Sequence, residues 1–166
     1  MKKDKCTNCG SETRVSRGNY RFDEIGLPVT LKDVELVKCD DCGAVEPVVP
    51  NMNGLMHAVA LAIITHERSL SGEEIRFLRK YLGLSTAEFM KLLHINQSTL
   101  SRWENGETVG PQSDRLIRLL VLNKSEQLRK HAEQLIEILP EIDDSPTSKR
   151  RPQLKVDPKT LEYEYA

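Results

Sequence analysis

The sequence predicts an α+β protein, in which a small β-rich N-terminal region with four cysteines precedes an all-α bundle of about five helices. Three observations predict this fold. Two copies of one motif, CTNCG and CDDCG, enclose residues 6–43, and short β-prone runs lie between them. Beyond residue 53, apolar residues recur at helical spacing behind capping residues. We expect four segments: 1–50, a connecting helix over 51–70, a helical domain over 71–140, and a flexible tail over 141–166.

The composition is that of a protein with a modest core, because 39% of the 166 residues are hydrophobic and 30% are charged. The start MKKDKCTNCG has no apolar stretch typical of a signal peptide, and the run LMHAVALAII is shorter than the ~18 residues of a membrane span. We therefore expect a cytoplasmic protein that does not enter a membrane. The net charge of −1 argues against a general polyanion binder, but residues 71–130 carry ten basic and seven acidic side chains. That local excess is compatible with DNA binding.

The four cysteines form two CxxCG pairs with none left over: Cys6, Cys9, Cys39 and Cys42. This pattern indicates one tetrahedral thiolate site for a structural Zn²⁺, with no open position for substrate. Two disulfides, or iron in place of zinc, are the alternatives. The 29 residues between the pairs exceed the ~15–20 of common patterns, so they must hold a hairpin or small sheet. The runs TRVSR, YRF, VTL and VELV supply its strands, and the region is predicted to be a zinc ribbon.

Capping residues divide the helical region. Asn53 is expected to cap a helix over 54–67, and two S-x-x-E capping boxes, Ser71 with Glu74 and Ser85 with Glu88, begin the next two helices. Further signals mark the ends and the turn that follow: Gly83, then His94 with Ile95, the cap Asn96, and Gly106. These signals predict a first helix that ends at Gly83, a second helix that ends in the tight turn, and a third, short helix after that turn, QSTLSRWEN.

The short third helix has two distinct faces. Leu100 and Trp103 are expected to point into the core, and the opposite face is polar: Gln97, Ser98, Ser101 and Arg102. Such a face after a tight turn suits the major groove, where Arg contacts guanine and Gln contacts adenine. A solvated face on a structural helical hairpin is the alternative.

Residues 73–122 resemble an Xre/Cro-type helix-turn-helix domain, and STLSRWENG is similar to the end of that family's recognition helix. The resemblance implies an ion pair between Arg79 and Glu104. It also implies base contacts by Gln97, Ser98 and Arg102, and phosphate contacts near Asn105 and Thr108. Thr86 stands where the family has a phosphate-clamping Gln and is also expected to contact a phosphate, and His94 stands where the family has a turn glycine.

The layout of residues 1 to about 130 is similar to the YgiT/MqsA-type antitoxin family. This resemblance implies that the ribbon binds zinc and a partner toxin that cleaves mRNA. It also implies that the C-terminal domain forms a homodimer on a palindromic operator and represses its own operon. A regulator without a toxin, and a zinc-ribbon adaptor that binds only protein, are the alternatives.

The end of the chain is less informative. PQSDRLIRLLVLN predicts a fourth helix with Leu116, Ile117, Leu119 and Leu120 apolar, and Ser125 is expected to cap a fifth. The fifth helix carries an apolar stripe that suits either the core or a homodimer face: Leu128, Ala132, Leu135, Ile136 and Leu139. Four prolines within residues 140–166 and mixed charge predict a tail, although LEYEY alternates as a strand at a sheet edge would. None of the four histidines lies in a catalytic motif, so we expect no enzyme.

Overall fold

The computed structural model describes residues 5–142 and 152–166. These residues divide into two compact units, of which the first comprises 5–23, 28–55 and 152–166, and the second 24–27 and 56–142. The first unit is a β-sheet that carries the four cysteines, and the second is helical, which confirms the predicted α+β class. No helix in the described parts of the chain is long and apolar enough to cross a membrane.

The sheet of the first unit is built around one long central strand. Strands β1 (Thr13–Phe22) and β2 (Val29–Cys39) form an antiparallel hairpin in which Thr13 pairs with Cys39 and Phe22 with Val29. The register shifts between Gly18 and Tyr20, which marks a β-bulge. Strand β3 (Val45–Val48) pairs antiparallel with the cysteine-bearing half of β2. The predicted hairpin is therefore present between the cysteine pairs, and β3 follows the second pair.

The prediction of a flexible tail is wrong for residues 152–166, while residues 143–151 lie outside the described residues. Strand β4 (Leu154–Val156) pairs parallel with Val29–Leu31 of β2, and β5 (Tyr163–Tyr165) pairs antiparallel with β4. Leu154 and Val156 are buried, as are Val29 and Leu31, the residues with which they pair. Burial of the two apolar side chains stabilises the LKV strand. The composition of the segment by itself does not show that they are buried.

The helical unit follows the predicted caps closely. Helix α1 (Met52–Ile64) begins two residues earlier than expected, because the side chain of Asn51, rather than Asn53, accepts a hydrogen bond from the Gly54 amide. Helices α2 (Gly72–Tyr81) and α3 (Thr86–Leu93) both begin with complete capping boxes, as predicted. Helix α4 (Gln97–Glu104) begins at the cap Asn96, whose side chain accepts from the Thr99 amide.

The last helices differ from the prediction. Helix α5 (Pro111–Lys124) is the predicted fourth helix, and of its apolar residues Ile117 is buried whereas Leu116 and Leu119 are exposed. The expected fifth helix is two short ones, α6 (Glu126–Arg129) and α7 (Ala132–Ile138). Ser125 makes no side-chain cap, and its hydroxyl lies 3.0 Å from the Tyr81 hydroxyl instead. The apolar stripe is divided between the core, which takes Leu128 and Leu135, and the surface, where Ile136 is 60% exposed.

A buried ion pair within α5, which the sequence did not reveal, also donates hydrogen bonds to the backbone at the end of α1. The Nε of Arg118 donates to Asp114 Oδ1 at 2.6 Å, and both side chains are fully buried. The guanidinium also donates to the carbonyls of Ile64, the last residue of α1, and His66, two residues beyond it. Asp114 accepts from the Leu70 amide as well. These bonds satisfy carbonyls that a helix end leaves without intrahelical partners.

Candidate metal centre and nucleic-acid interface

The four predicted cysteines come together at the end of the β1–β2 hairpin. Their sulfur atoms all lie within 4.8 Å of one another, with Cys6 and Cys42 at 3.6 Å and Cys9 and Cys39 at 3.5 Å. All four are free thiols. Four thiolates at ~2.3 Å from one tetrahedral ion are about 3.8 Å apart, so the observed distances fit such an ion. The cluster could hold a metal ion such as zinc.

The two CxxCG motifs form equivalent loops. The Gly10 amide donates to the Cys6 carbonyl at 2.9 Å, and the Gly43 amide donates to the Cys39 carbonyl at 3.0 Å. Both glycines have a positive φ, which lets each chain turn back beside its cysteines. Hydrogen bonds from the Ala44 backbone and the Asn8 side chain lower the pKa of the Cys42 thiol to about 6. A hydrogen bond from the Cys42 backbone acts to lower the pKa of the Cys39 thiol, but burial and the neighbouring Cys9 and Cys42 thiols raise it to about 11. Thiolates are the form that binds metals, so Cys42 is the thiol of this loop that ionises more readily.

Helices α3 and α4 are joined by the predicted tight turn. His94 has φ 50 and ψ 42, a left-handed conformation that residues other than glycine adopt uncommonly. The Ile95 amide then donates to the Met90 carbonyl at 3.1 Å, which closes the end of α3. Phe89 of α3 and Leu100 of α4 are buried, so the two helices are held by core side chains.

Helix α4 has the two faces that the sequence predicts. Leu100 and Trp103 are buried, at 2% and 6% exposure. The polar positions all lie in the exposed class: Gln97, Ser98, Ser101 and Arg102. The residues expected to contact phosphate are exposed as well: Thr86, Asn105 and Thr108. Thr86 is the first residue of α3, and Asn105 and Thr108 follow the end of α4.

Several of these polar side chains are already engaged within the protein. The Ser98 hydroxyl donates to Asn96 Oδ1 at 2.7 Å. The Asn105 side-chain amide donates to the Ser101 carbonyl at 2.8 Å and lies 3.3 Å from its hydroxyl. Asn105 therefore closes the last turn of α4, in addition to lying where a phosphate contact is expected. Gln97 and Arg102 are the longest side chains on this face.

Two arginines of α2, rather than one, approach Glu104. An Arg79 terminal nitrogen lies 3.7 Å from Glu104 Oε1, and both side chains are mostly buried, with 14% and 20% exposure. Arg76 is nearer, with its terminal nitrogen 3.3 Å from Oε2, and is 44% exposed. Arg79 also donates to the Leu84 carbonyl at 3.2 Å in the loop before α3. The sequence missed Arg76, although its position three residues before Arg79 places it on the same helix face.

Close backbone approach positions α2 against the end of α4. A Cβ on Gly72 would lie 2.1 Å from the Trp103 carbonyl oxygen and 2.7 Å from the Glu104 Cα. Glycine is therefore required sterically at the first residue of α2. This contact and the Glu104 ion pairs attach α4 to α2, so that the polar face of α4 is held on a rigid helix pair.

The comparisons agree with this geometry. Residues 72–130 match the model of a helix-turn-helix domain. No curated protein and no solved structure shows a significant match to the chain. The chain thus contains a helix-turn-helix domain. This domain supports a DNA-binding regulator, rather than an enzyme, as the class of the protein.

Proposed function

We propose that this protein is a sequence-specific transcriptional repressor that also acts as the antitoxin of a type II toxin–antitoxin pair. The observation that carries the proposal is the exposed polar face of α4 opposite buried Leu100 and Trp103, within a segment that matches a helix-turn-helix domain. In this proposal Gln97, Ser98, Ser101 and Arg102 read bases in the major groove. Thr86, Asn105 and Thr108 contact the phosphates.

The cysteine cluster is proposed to hold one structural Zn²⁺. Four cysteine sulfurs with the observed spacing leave no coordination position for a substrate, as in structural zinc sites. Zinc binding would then supply folding energy to a sheet whose cysteine-bearing end exposes Val15, Val45 and Val48. The metal contributes by holding the two CxxCG loops together.

A second copy of the chain is the proposed partner on DNA. Helix-turn-helix proteins commonly bind two half-sites as dimers, about 34 Å apart on a palindromic operator. The helical unit exposes apolar side chains that a homodimer could cover: Leu116, Leu119 and Ile136. The antitoxin role rests on the resemblance of the whole layout to YgiT/MqsA-type proteins. In this proposal the ribbon binds the toxin, an mRNA-cleaving RNase, and the C-terminal domain binds the operator.

The DNA-binding proposal is tested by titrating wild type and Arg102→Ala against the promoter upstream of the gene and a scrambled duplex. Arg102→Ala should weaken binding to the promoter by ~1–3 kcal/mol and flatten discrimination at one base pair per half-site. Arg129→Ala removes the same charge from exposed α6 and is the matched control. Equal losses on both duplexes would make Arg102 a phosphate contact. Failure of wild type to prefer the promoter would favour the adaptor that binds only protein.

The antitoxin role is tested separately by co-expression with the product of the adjacent gene. Rescue of cell growth and co-purification of the two proteins are expected. If the protein binds the operator but does not rescue growth, the hypothesis of a regulator without a toxin is favoured.

A further inference from the structure

The contact that motivates this inference joins Arg102, the proposed guanine-reading residue, to an acidic residue beyond the end of α4. Arg102 Nε lies 3.5 Å from Glu107 Oε2, and the two side chains are 60% and 51% exposed. An exposed ion pair of this kind contributes little to stability. A second observation is therefore needed to give the contact a role.

That observation is the backbone geometry that ends α4. The Gly106 amide donates to the Trp103 carbonyl at 3.0 Å, and the Glu107 amide donates to the Arg102 carbonyl, also at 3.0 Å. Gly106 has φ 98, in the left-handed region. This pair of bonds is a Schellman motif. In this motif the second residue after the C-cap, here Glu107, lies beside the third residue from the end of the helix, here Arg102. The backbone itself therefore places Glu107 next to Arg102.

The contact with Glu107 determines which nitrogens of Arg102 are available for DNA. Glu107 lies against the Nε edge of the guanidinium, so the two terminal nitrogens remain available for a bidentate contact with guanine O6 and N7. The Glu107 carboxylate also adds a negative charge beside the residues expected to contact phosphate, Asn105 and Thr108. It therefore opposes binding by every duplex, and only a duplex that engages Arg102 offsets this repulsion with a base contact.

We propose that Glu107 is a specificity-determining positioning residue, which orients Arg102 toward guanine and lowers the affinity for DNA without that guanine. The inference rests on the proposed function, because it requires that α4 reads DNA. Its consequence is a larger ratio of cognate to non-cognate affinity, obtained without a direct contact between Glu107 and a base. A side chain with only a stabilising role would change neither this ratio nor its salt dependence.

The experiment begins with selection of duplexes from a randomised library by the wild-type full-length chain. The best duplex, its single-base variants and a scrambled duplex are then titrated with wild type, Glu107→Gln and Glu107→Asp. Glu107→Gln should raise affinity for the scrambled duplex about twofold to fivefold, less so at high salt, where charge repulsion is screened. It should lower discrimination at the guanine read by Arg102 about threefold to tenfold, a part of the full effect of a bidentate contact. Glu107→Asp should keep the repulsion but lose part of the discrimination.

Two controls make the outcome specific. Glu133→Gln removes the same charge from an exposed position of α7. It should change neither the affinity for the scrambled duplex nor the discrimination at the guanine. In an Arg102→Ala background, Glu107→Gln should no longer affect discrimination at the guanine. Unchanged discrimination in Glu107→Gln, or an equal loss with and without Arg102, would overturn the inference while the proposed function stands. Selection of no motif by wild type would overturn the proposed function and the inference with it.

Discussion

Substitution of Val156 tests whether the C-terminal strands belong to the sheet. Val156 is fully buried on β4 and pairs in parallel with Leu31, which is also fully buried. Val156→Ala removes two methyl groups, worth about 0.8 kcal/mol each in transfer free energy. The cavity left behind adds to this loss, so we expect the free energy of unfolding to fall by roughly 2–3 kcal/mol. The melting temperature of the first unit should fall by on the order of 10 °C.

The measurement must distinguish the two units, and the sequence offers a way to do so. Trp103 is the one tryptophan of the chain and belongs to the helical unit, so its fluorescence reports that unit. Hydrogen exchange of peptides that cover β2 reports the sheet. We expect Val156→Ala to speed exchange in β2 during a urea titration, with the Trp103 transition unchanged.

The matched control is Lys155→Ala, because Lys155 lies on the same strand but is partly exposed. It should cost much less than Val156→Ala. Metal content should stay the same in both variants, since Leu31 and Cys39 are eight residues apart on β2, or about 26 Å. Equal exchange rates in β2 for wild type and Val156→Ala would contradict the packing of β4 on the sheet and favour the flexible tail predicted from the sequence.

Three other perturbations follow from the structure. Cys39→Ser should abolish stoichiometric zinc binding, measured by metal analysis, and unfold the sheet while the helices keep their circular dichroism, because zinc supplies folding energy there. Glu104→Ala should lower the free energy of unfolding of the helical unit by roughly 3 kcal/mol, since it strands a mostly buried arginine, whereas Arg76→Ala should cost under about 1 kcal/mol. Gly72→Ala should destabilise by about 1–3 kcal/mol in urea titrations, because its Cβ would lie 2.1 Å from the Trp103 carbonyl oxygen.

Each of these expectations has a result that would contradict it. If purified wild-type protein contained no zinc, the proposal of a structural Zn²⁺ would be contradicted, regardless of the behaviour of Cys39→Ser. A Glu104→Ala variant that melts with wild type would show that the ion pairs are not needed to hold α4. Stabilisation by Gly72→Ala, the result expected from helix propensity alone, would mean that α2 is not packed against the end of α4.

The sequence alone determined the parts of the protein that depend on neighbouring residues. The CxxCG loops, the capping boxes at Ser71 and Ser85 and the left-handed turn at His94 are all closed by bonds between residues at most five positions apart. Residue type and spacing specify such bonds directly. The two faces of α4 followed from helical periodicity in the same way.

Only the tertiary structure decided the features that join distant parts of the chain. Val156 pairs with Leu31 across 125 positions, and Arg118 reaches the carbonyl of Ile64 across 54. The division of Glu104 between two arginines also depends on how α2 packs against α4. A three-residue strand or a charged residue in a helix has too little local preference to specify such contacts, because their free energy comes from burial and from the partner that the fold supplies.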